Sequence, residues 1–260
     1  MRLALIGDPV AHSASPAIHR MLLREAGIDD GSYDAIRVPK GNGIAVVRRM
    51  RIDGYAGLNV TTPLKEEVLA ACDYLDAEAE MAQAVNTLFL GRQIRGTNTD
   101  GVGARMALEA AIDESIALKR IGVLGTGPTA RAILAQLHEN DAYAFVWGRD
   151  DLKVRALCER FEADAWPENP PEIVLSTLPP GVLLPDALAE DVRRADVVMD
   201  ANYGDRSTLE RRLQRQVLRG DAMLEAQARA SFEYWLANLE PAAESLLEDR
   251  RGGDSNSRDA

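Results

Sequence analysis

Apolar positions fall into short runs separated by glycine, proline and polar residues, each run the length of one strand or one amphipathic helix. Arg2 to Ile6 is an apolar strand ending at Gly7. Ser15 is placed to cap a helix with Pro16 at its first position and Gly27 at its close. Tyr33 to Val38 predicts a strand, Ile44 to Met50 a short helix, and Tyr55 to Val60 another strand. Thr62 is placed to cap a helix that opens with Pro63 and runs to about Leu75, with Lys65 in its first turn. Thr87 to Leu90 and Gln93 to Arg95, around Gly91 and Arg92, predict a hairpin. Residues 1–100 therefore read as an α/β unit with a mixed sheet.

A second unit spans residues 101–222. A helical run from Val102 to Ala111 leads to a buried-strand pattern at Ile121 to Leu124, then to Gly125-Thr126-Gly127-Pro128-Thr129-Ala130-Arg131 and a helix ending near Asn140. Tyr143 to Trp147 is a strand, Asp150 to Phe161 a helix, and Ile173 to Ser176 and Val197 to Asn202 are further strands. This alternation is the doubly wound, Rossmann-like pattern. Met223 to Leu239 and Pro241 to Asp249 predict helices, and residues 250–260 a disordered polar tail.

Composition narrows the partners. A length of 260 residues allows one large domain or two of ordinary size. With 46% hydrophobic and 27% charged residues, the balance is that of a soluble globular protein. A net charge of −11 argues against nucleic acid or an anionic membrane as the main partner. No apolar run approaches the roughly 18 residues of a membrane span. Cys72 and Cys158 lie in helix-like runs without metal spacing, so no metal is expected. Two thiols and no signal-peptide pattern point to the cytoplasm.

The candidate chemistry starts from lysine. Only Lys40, Lys65, Lys119 and Lys153 occur among 30 basic residues. Arginine stays protonated, whereas lysine exchanges protons. Lys65, in the segment that follows the strand Tyr55 to Val60, and the carboxylate of Asp100 in Asn98-Thr99-Asp100-Gly101 therefore make a candidate proton-transfer pair. Gly125-x-Gly127-x-x-Ala130 has the spacing of a dinucleotide turn: a tight turn, room for a pyrophosphate, and a small residue where helix meets strand. Its bland alternative is an ordinary strand–turn–helix. At the end of the next strand, Arg149 and Lys153 suit a 2′-phosphate, while Asp150 suits either a ribose or the N-cap of its own helix. The two cations favour NADP over NAD. Ser13 and Ser15 present two hydroxyls before a helix, Asn86 an amide, and Gln227 an amide near the start of the last long helix; each also has a purely structural reading.

Taken in order, these segments resemble the shikimate dehydrogenase family. The matching stretches are Gly7 to His19, Asn59 to Lys65, Ala84 to Thr87, Asn98 to Gly103, Gly125 to Arg131 and Met223 to Ala228. The resemblance implies an N-terminal substrate domain, a Rossmann-type cofactor domain, and C-terminal helices that return to the first domain. It also implies NADPH-dependent reduction of 3-dehydroshikimate to shikimate. Lys65 and Asp100 match the family's catalytic pair. Ser13, Ser15, Thr61, Asn86 and Gln227 match substrate positions, with Asn59 beside them and Tyr203 near substrate and nicotinamide. The expected cofactor contacts are Gly125, Gly127, Pro128, Thr129, Ala130, Arg131, Arg149, Lys153 and Thr177. The chain departs from the family pattern at Ala222, where a second glycine is usual, and at Glu225, where an apolar residue is usual. The rivals are the same chemistry on quinate or an aminoshikimate, and a non-catalytic nucleotide-binding regulator. A monomer or a homodimer is expected.

Overall fold

Two sheets organise the computed structural model, which describes residues 1–239. In chain order the first lobe comprises β1 (Arg2–Gly7), α1 (Ser15–Glu25), β2 (Ser32–Arg37), α2 (Gly43–Ile52), β3 (Gly57–Val60), a 3₁₀ turn (Glu67–Ala71), β4 (Tyr74–Leu75), α3 (Ala77–Ala82), β5 (Thr87–Leu90) and β6 (Ile94–Thr97). Its sheet order is β2-β1-β3-β5-β6-β4. Strands β1, β2 and β3 run parallel, whereas β5 is antiparallel to both β3 and β6. The carboxyl ends of β1, β3 and β6 and the amino end of β5 therefore share one edge. Residues 8–15, 61–66, 86 and 98–100 leave the sheet there.

The second lobe comprises α4 (Asp100–Ile112), β7 (Arg120–Leu124), α5 (Pro128–Glu139), β8 (Tyr143–Trp147), α6 (Asp151–Phe161), β9 (Asp164–Ala165), β10 (Ile173–Ser176), α7 (Asp186–Arg194), β11 (Val197–Asp200), α8 (Leu209–Leu213) and β12 (Leu218–Arg219). Its strands are all parallel, in the order β9-β8-β7-β10-β11-β12. The chain thus winds outward from β7 in both directions, the doubly wound arrangement, and ligands of such sheets bind where the order reverses. That point lies between the ends of β7 and β10.

Helix α9 (Asp221–Asn238) returns to the first lobe. Trp235 is fully buried, and its indole N–H donates to the Leu88 carbonyl at 2.9 Å. Helix α4 passes close enough to α9 that a Cβ on Gly103 would stand 2.8 Å from the Gln227 backbone nitrogen. Only glycine permits that approach, which brings Gln227 over the start of α4. The helix expected over residues 241–249 and the tail 250–260 lie outside the described residues.

Two local expectations fail. No helix runs from Thr62 to Leu75. The Lys65 carbonyl accepts from Val85 N–H at 2.8 Å and so is lost to an i→i+4 ladder, and Tyr74 and Leu75 pair with β6 instead. Lys65 therefore sits in a turn. Nor does Ser15 cap α1. It is the first helical residue, and it is Ser13 Oγ that accepts from the Ser15 amide at 3.2 Å.

Candidate active site

The turn after β3 carries Lys65, and the first residue of α4 is Asp100; the shared sheet edge brings them together. The Lys65 ammonium donates to Asp100 Oδ2, with only 12% and 8% of the two side chains exposed. Asp100 Oδ2 also accepts from Thr129 Oγ1 at 2.9 Å, and Oδ1 accepts from Asn86 Nδ2 at 2.7 Å. Burial pushes the Asp100 carboxyl up. The Lys65 charge and hydrogen bond, with those from Asn86 and Thr129, outweigh it and hold the carboxyl below its ordinary value. Asp100 is thus an anion fixed by three donors beside a largely buried ammonium, an arrangement suited to giving a proton to an oxygen and taking it back.

Asn86 is the hub beneath the pair. Its amide nitrogen donates to Asp100, to Thr99 Oγ1 at 3.0 Å and to Gln227 Oε1 at 3.4 Å, and its oxygen accepts from the Thr99 amide at 2.9 Å. Gln227 from α9 therefore joins the cluster. Ser13 and Ser15 stand at the same sheet edge with their hydroxyls 3.2 Å apart, and Thr61 follows β3 there. Asn59 departs from expectation. It is buried, accepts from Tyr33 O–H at 2.7 Å, and donates to Thr87 Oγ1 and Ser231 Oγ, each at 3.1 Å. Its polar atoms are spent inside the protein, so it supports the site from below and does not face a ligand. Tyr203, just after β11, approaches from the second lobe: the Tyr33 phenol is raised well above its ordinary value by burial first and by Tyr203 second.

On the second lobe, Gly125 takes φ +122°, which a side chain rarely adopts, and a Cβ there would meet Thr177 Oγ1 at 2.3 Å. Nothing lies within 4 Å of a Cβ built on Gly127. Gly127 is also the N-cap of α5 and brings no side chain to its first amides, which leaves them to an anion at the positive end of the helix. Ala130 is fully buried, and Pro128 opens the helix. An open, glycine-lined helix start at the reversal point of the sheet fits a dinucleotide pyrophosphate. Thr177 is committed elsewhere: its hydroxyl donates to the Leu124 carbonyl at 3.0 Å and braces the turn. Asp150 is the N-cap of α6, accepting from the Leu152 and Lys153 amides at 3.1 and 3.2 Å. Its carboxylate is turned into its own helix, leaving Arg149 and Lys153 exposed at the strand end.

Arg131 departs from its expected role as a cofactor contact. Its guanidinium donates to the Ala82 carbonyl and to Glu66 Oε1, each at 2.6 Å, and so clasps the first lobe. Glu225 pairs with Arg229 at 3.1 Å, and Arg229 also reaches Glu25 of α1 at 3.5 Å, so this unusual carboxylate shares one guanidinium on the exposed side of α9. No sequence signal marks Tyr33 or Ser231 as parts of the network, because each becomes polar infrastructure only when distant segments meet. Among the described residues no group of three or more His, Cys, Asp or Glu side chains is arranged to hold a metal, and no helix is long and apolar enough to cross a membrane.

Comparison with known proteins gives a consistent result. The profile of the shikimate dehydrogenase substrate binding domain matches residues 5–88. The shikimate dehydrogenase (NADP(+)) of Shewanella halifaxensis is 31% identical over 268 residues, 96% of this chain and 95% of the relative. That of an Exiguobacterium species is 34% identical over 249 residues, 90% of this chain and 92% of the relative. The structure of shikimate 5-dehydrogenase from Thermus thermophilus in complex with NADP(H) and shikimate superposes with a TM-score of 0.79 at 30% identity, covering 96% of this chain and 99% of the other.

Proposed function

Because this chain belongs to the shikimate dehydrogenase family, we propose that it interconverts 3-dehydroshikimate and shikimate with NADP as the redox cofactor. One observation carries the reading: a largely buried Lys65–Asp100 ion pair at the edge of the first sheet, set against the glycine-lined start of α5. NADPH, held along Gly125, Gly127, Pro128, Thr129 and Ala130 with its 2′-phosphate toward Arg149 and Lys153, supplies the hydride when bound.

The chain's own groups do the rest. Lys65 gives a proton to the oxygen of 3-dehydroshikimate as its carbonyl carbon is reduced, and takes it back in the reverse direction. Asp100 orients the ammonium and accepts from a substrate hydroxyl. Ser13, Ser15, Thr61 and Gln227 bind the carboxylate and the remaining hydroxyls, Asn86 holds Asp100 and Gln227 in register, and Tyr203 closes the site from the second lobe. A regulator that only binds nucleotide has no need of a largely buried proton-transfer pair. Every residue in the scheme comes from one chain, so a monomer and a homodimer serve it equally.

The test is a panel of shikimate and quinate crossed with NADP and NAD, read by absorbance of the reduced cofactor. Reduction of NADP by shikimate, faster than any other combination, is the expected result. Turnover with quinate alone would reassign the substrate, and no turnover in any well would remove the enzymatic reading.

A further inference from the structure

The side chain of Thr129 points away from the glycine turn that its backbone helps to form. It donates to Asp100 Oδ2 at 2.9 Å, and its oxygen stands 3.5 Å from the Lys65 ammonium. A hydroxyl carries one proton and can also accept, whereas an ammonium only donates. The three groups therefore close a triangle with one consistent polarity: Lys65 donates to Asp100 and toward Thr129, and Thr129 donates to Asp100. Its contacts with Asp100 and Lys65 select the threonine rotamer that keeps this hydroxyl in the triangle. A second contact two residues on ties the same two segments, since Arg131 Nη2 donates to Glu66 Oε1, next to Lys65, at 2.6 Å. The first turn of α5 thus grips the Lys65–Glu66 turn of the other lobe at two points, while its amides face the cofactor site.

We propose that Thr129 is a positioning residue for the Lys65–Asp100 pair, so that the proton-transfer groups at the edge of the first sheet are aligned by the helix that receives the cofactor. This rests on the dehydrogenase reading above. It replaces a cofactor-contacting role for the Thr129 side chain and leaves its backbone amide to the pyrophosphate. Asp100 contacts Lys65 from the turn after β3, Asn86 from the start of β5, Asn98 from its own segment and Thr129 from α5, and among these described contacts Lys65 alone is charged. Removing the hydroxyl takes one donor from the ionised carboxylate and frees the ammonium on one side.

The experiment compares wild type with Thr129→Val, which keeps the shape without the donor, and Thr129→Ser, which keeps the donor. Steady-state kinetics across pH, NADP affinity by titration calorimetry, and the Asp100 titration by carboxyl ¹³C NMR are measured for each. Thr129→Val should lower kcat about 10-fold, the scale of a lost hydrogen bond to a charged group. It should move the acid limb of the pH profile and the Asp100 titration upward, because the anion has lost a donor, and should leave NADP affinity unchanged. Thr129→Ser should restore both. A folded Thr129→Val with wild-type kcat and Asp100 titration overturns the proposal, as does a variant whose only defect is weaker NADP binding. The NMR arm needs no turnover. If wild type fails to oxidise shikimate yet the Asp100 titration moves in Thr129→Val, the positioning role stands and the assigned reaction does not.

Discussion

At the scale of single residues, Lys65 is the one lysine placed among the segments proposed to bind substrate, with its ammonium committed to Asp100. Lys65→Ala should lower kcat with shikimate by about 10²–10⁴-fold, the usual contribution of a general acid–base group, while NADP affinity stays near normal. A near-normal kcat would remove Lys65 as the proton donor. Asp100→Asn keeps a group that can hydrogen-bond a substrate hydroxyl and loses the charge that holds the ammonium. Its KM should therefore change modestly, and its kcat should fall more than tenfold, or about 1.4 kcal/mol of barrier. Steady-state kinetics with shikimate varied separate the two parameters; a raised KM with intact kcat would leave Asp100 as a binding group alone. That these two side chains meet was legible in the sequence, from the scarcity of lysine for one and from the polar segment where the two units meet for the other. The tasks of Asn59, Thr129 and Arg131 were not. Their partners, Ser231, Asp100 and Ala82, lie 172, 29 and 49 positions away, and hydrogen bonds over such separations leave no local pattern.

At the scale of elements, the strands of the second lobe were the most legible. A parallel strand buried on both faces is a continuous apolar run, and Tyr143–Trp147 and Ile173–Ser176 fall at the expected residues. Helix α3 was not foreseen. Its buried positions are the alanines Ala79 and Ala82, too small to mark an amphipathic face, and its start is set by Asp76 accepting from the Ala79 amide at 3.1 Å. The expected helix after Thr62 failed for the opposite reason: local capping signals were present, and a tertiary hydrogen bond to the Lys65 carbonyl overrode them. Helix α6 shows how one element settles a choice the sequence left open. Asp150 Oδ1 accepts from the Leu152 and Lys153 amides and Oδ2 stands 3.9 Å from the Lys153 ammonium, so the carboxylate's charge is answered locally, and Arg149 remains exposed to receive a 2′-phosphate. Arg149→Ala should raise KM for NADP far more than for NAD. Equal increases for the two cofactors would show that Arg149 does not read the phosphate.

At the scale of the whole molecule, α9 couples the chain's end to its beginning, and His19 lies in the seam. The His19 ring is buried, and among the described residues neither nitrogen has a partner at hydrogen-bonding geometry, although Asn59 lies close enough to oppose the effect of burial; the ring is stacked on Tyr33 at 4.4 Å between centroids and tilted against Trp235 of α9 at 5.2 Å. Burial holds it neutral, its pKa lowered from 6.5 to about 3. A group with a depressed folded pKa takes up its proton more readily in the unfolded chain, so between about 6.5 and about 3 acid draws the chain toward unfolding. Asp100, also held low, adds to that loss at the acid end. Asp76, pushed up to about 6 chiefly by burial, opposes it, since its folded carboxyl is protonated first as pH falls. Wild-type stability alone therefore mixes three contributions of two signs. The difference between wild type and His19→Phe isolates one of them, because phenylalanine keeps an aromatic face against Tyr33 and Trp235 and has no proton to bind. Urea unfolding at intervals from pH 7 to pH 4 should show wild type losing stability relative to His19→Phe steadily as pH falls below about 6.5, with parallel curves above it. Parallel curves throughout would mean that His19 meets water or a partner when protonated, and that the contact of α9 with the first sheet opens without cost to the fold.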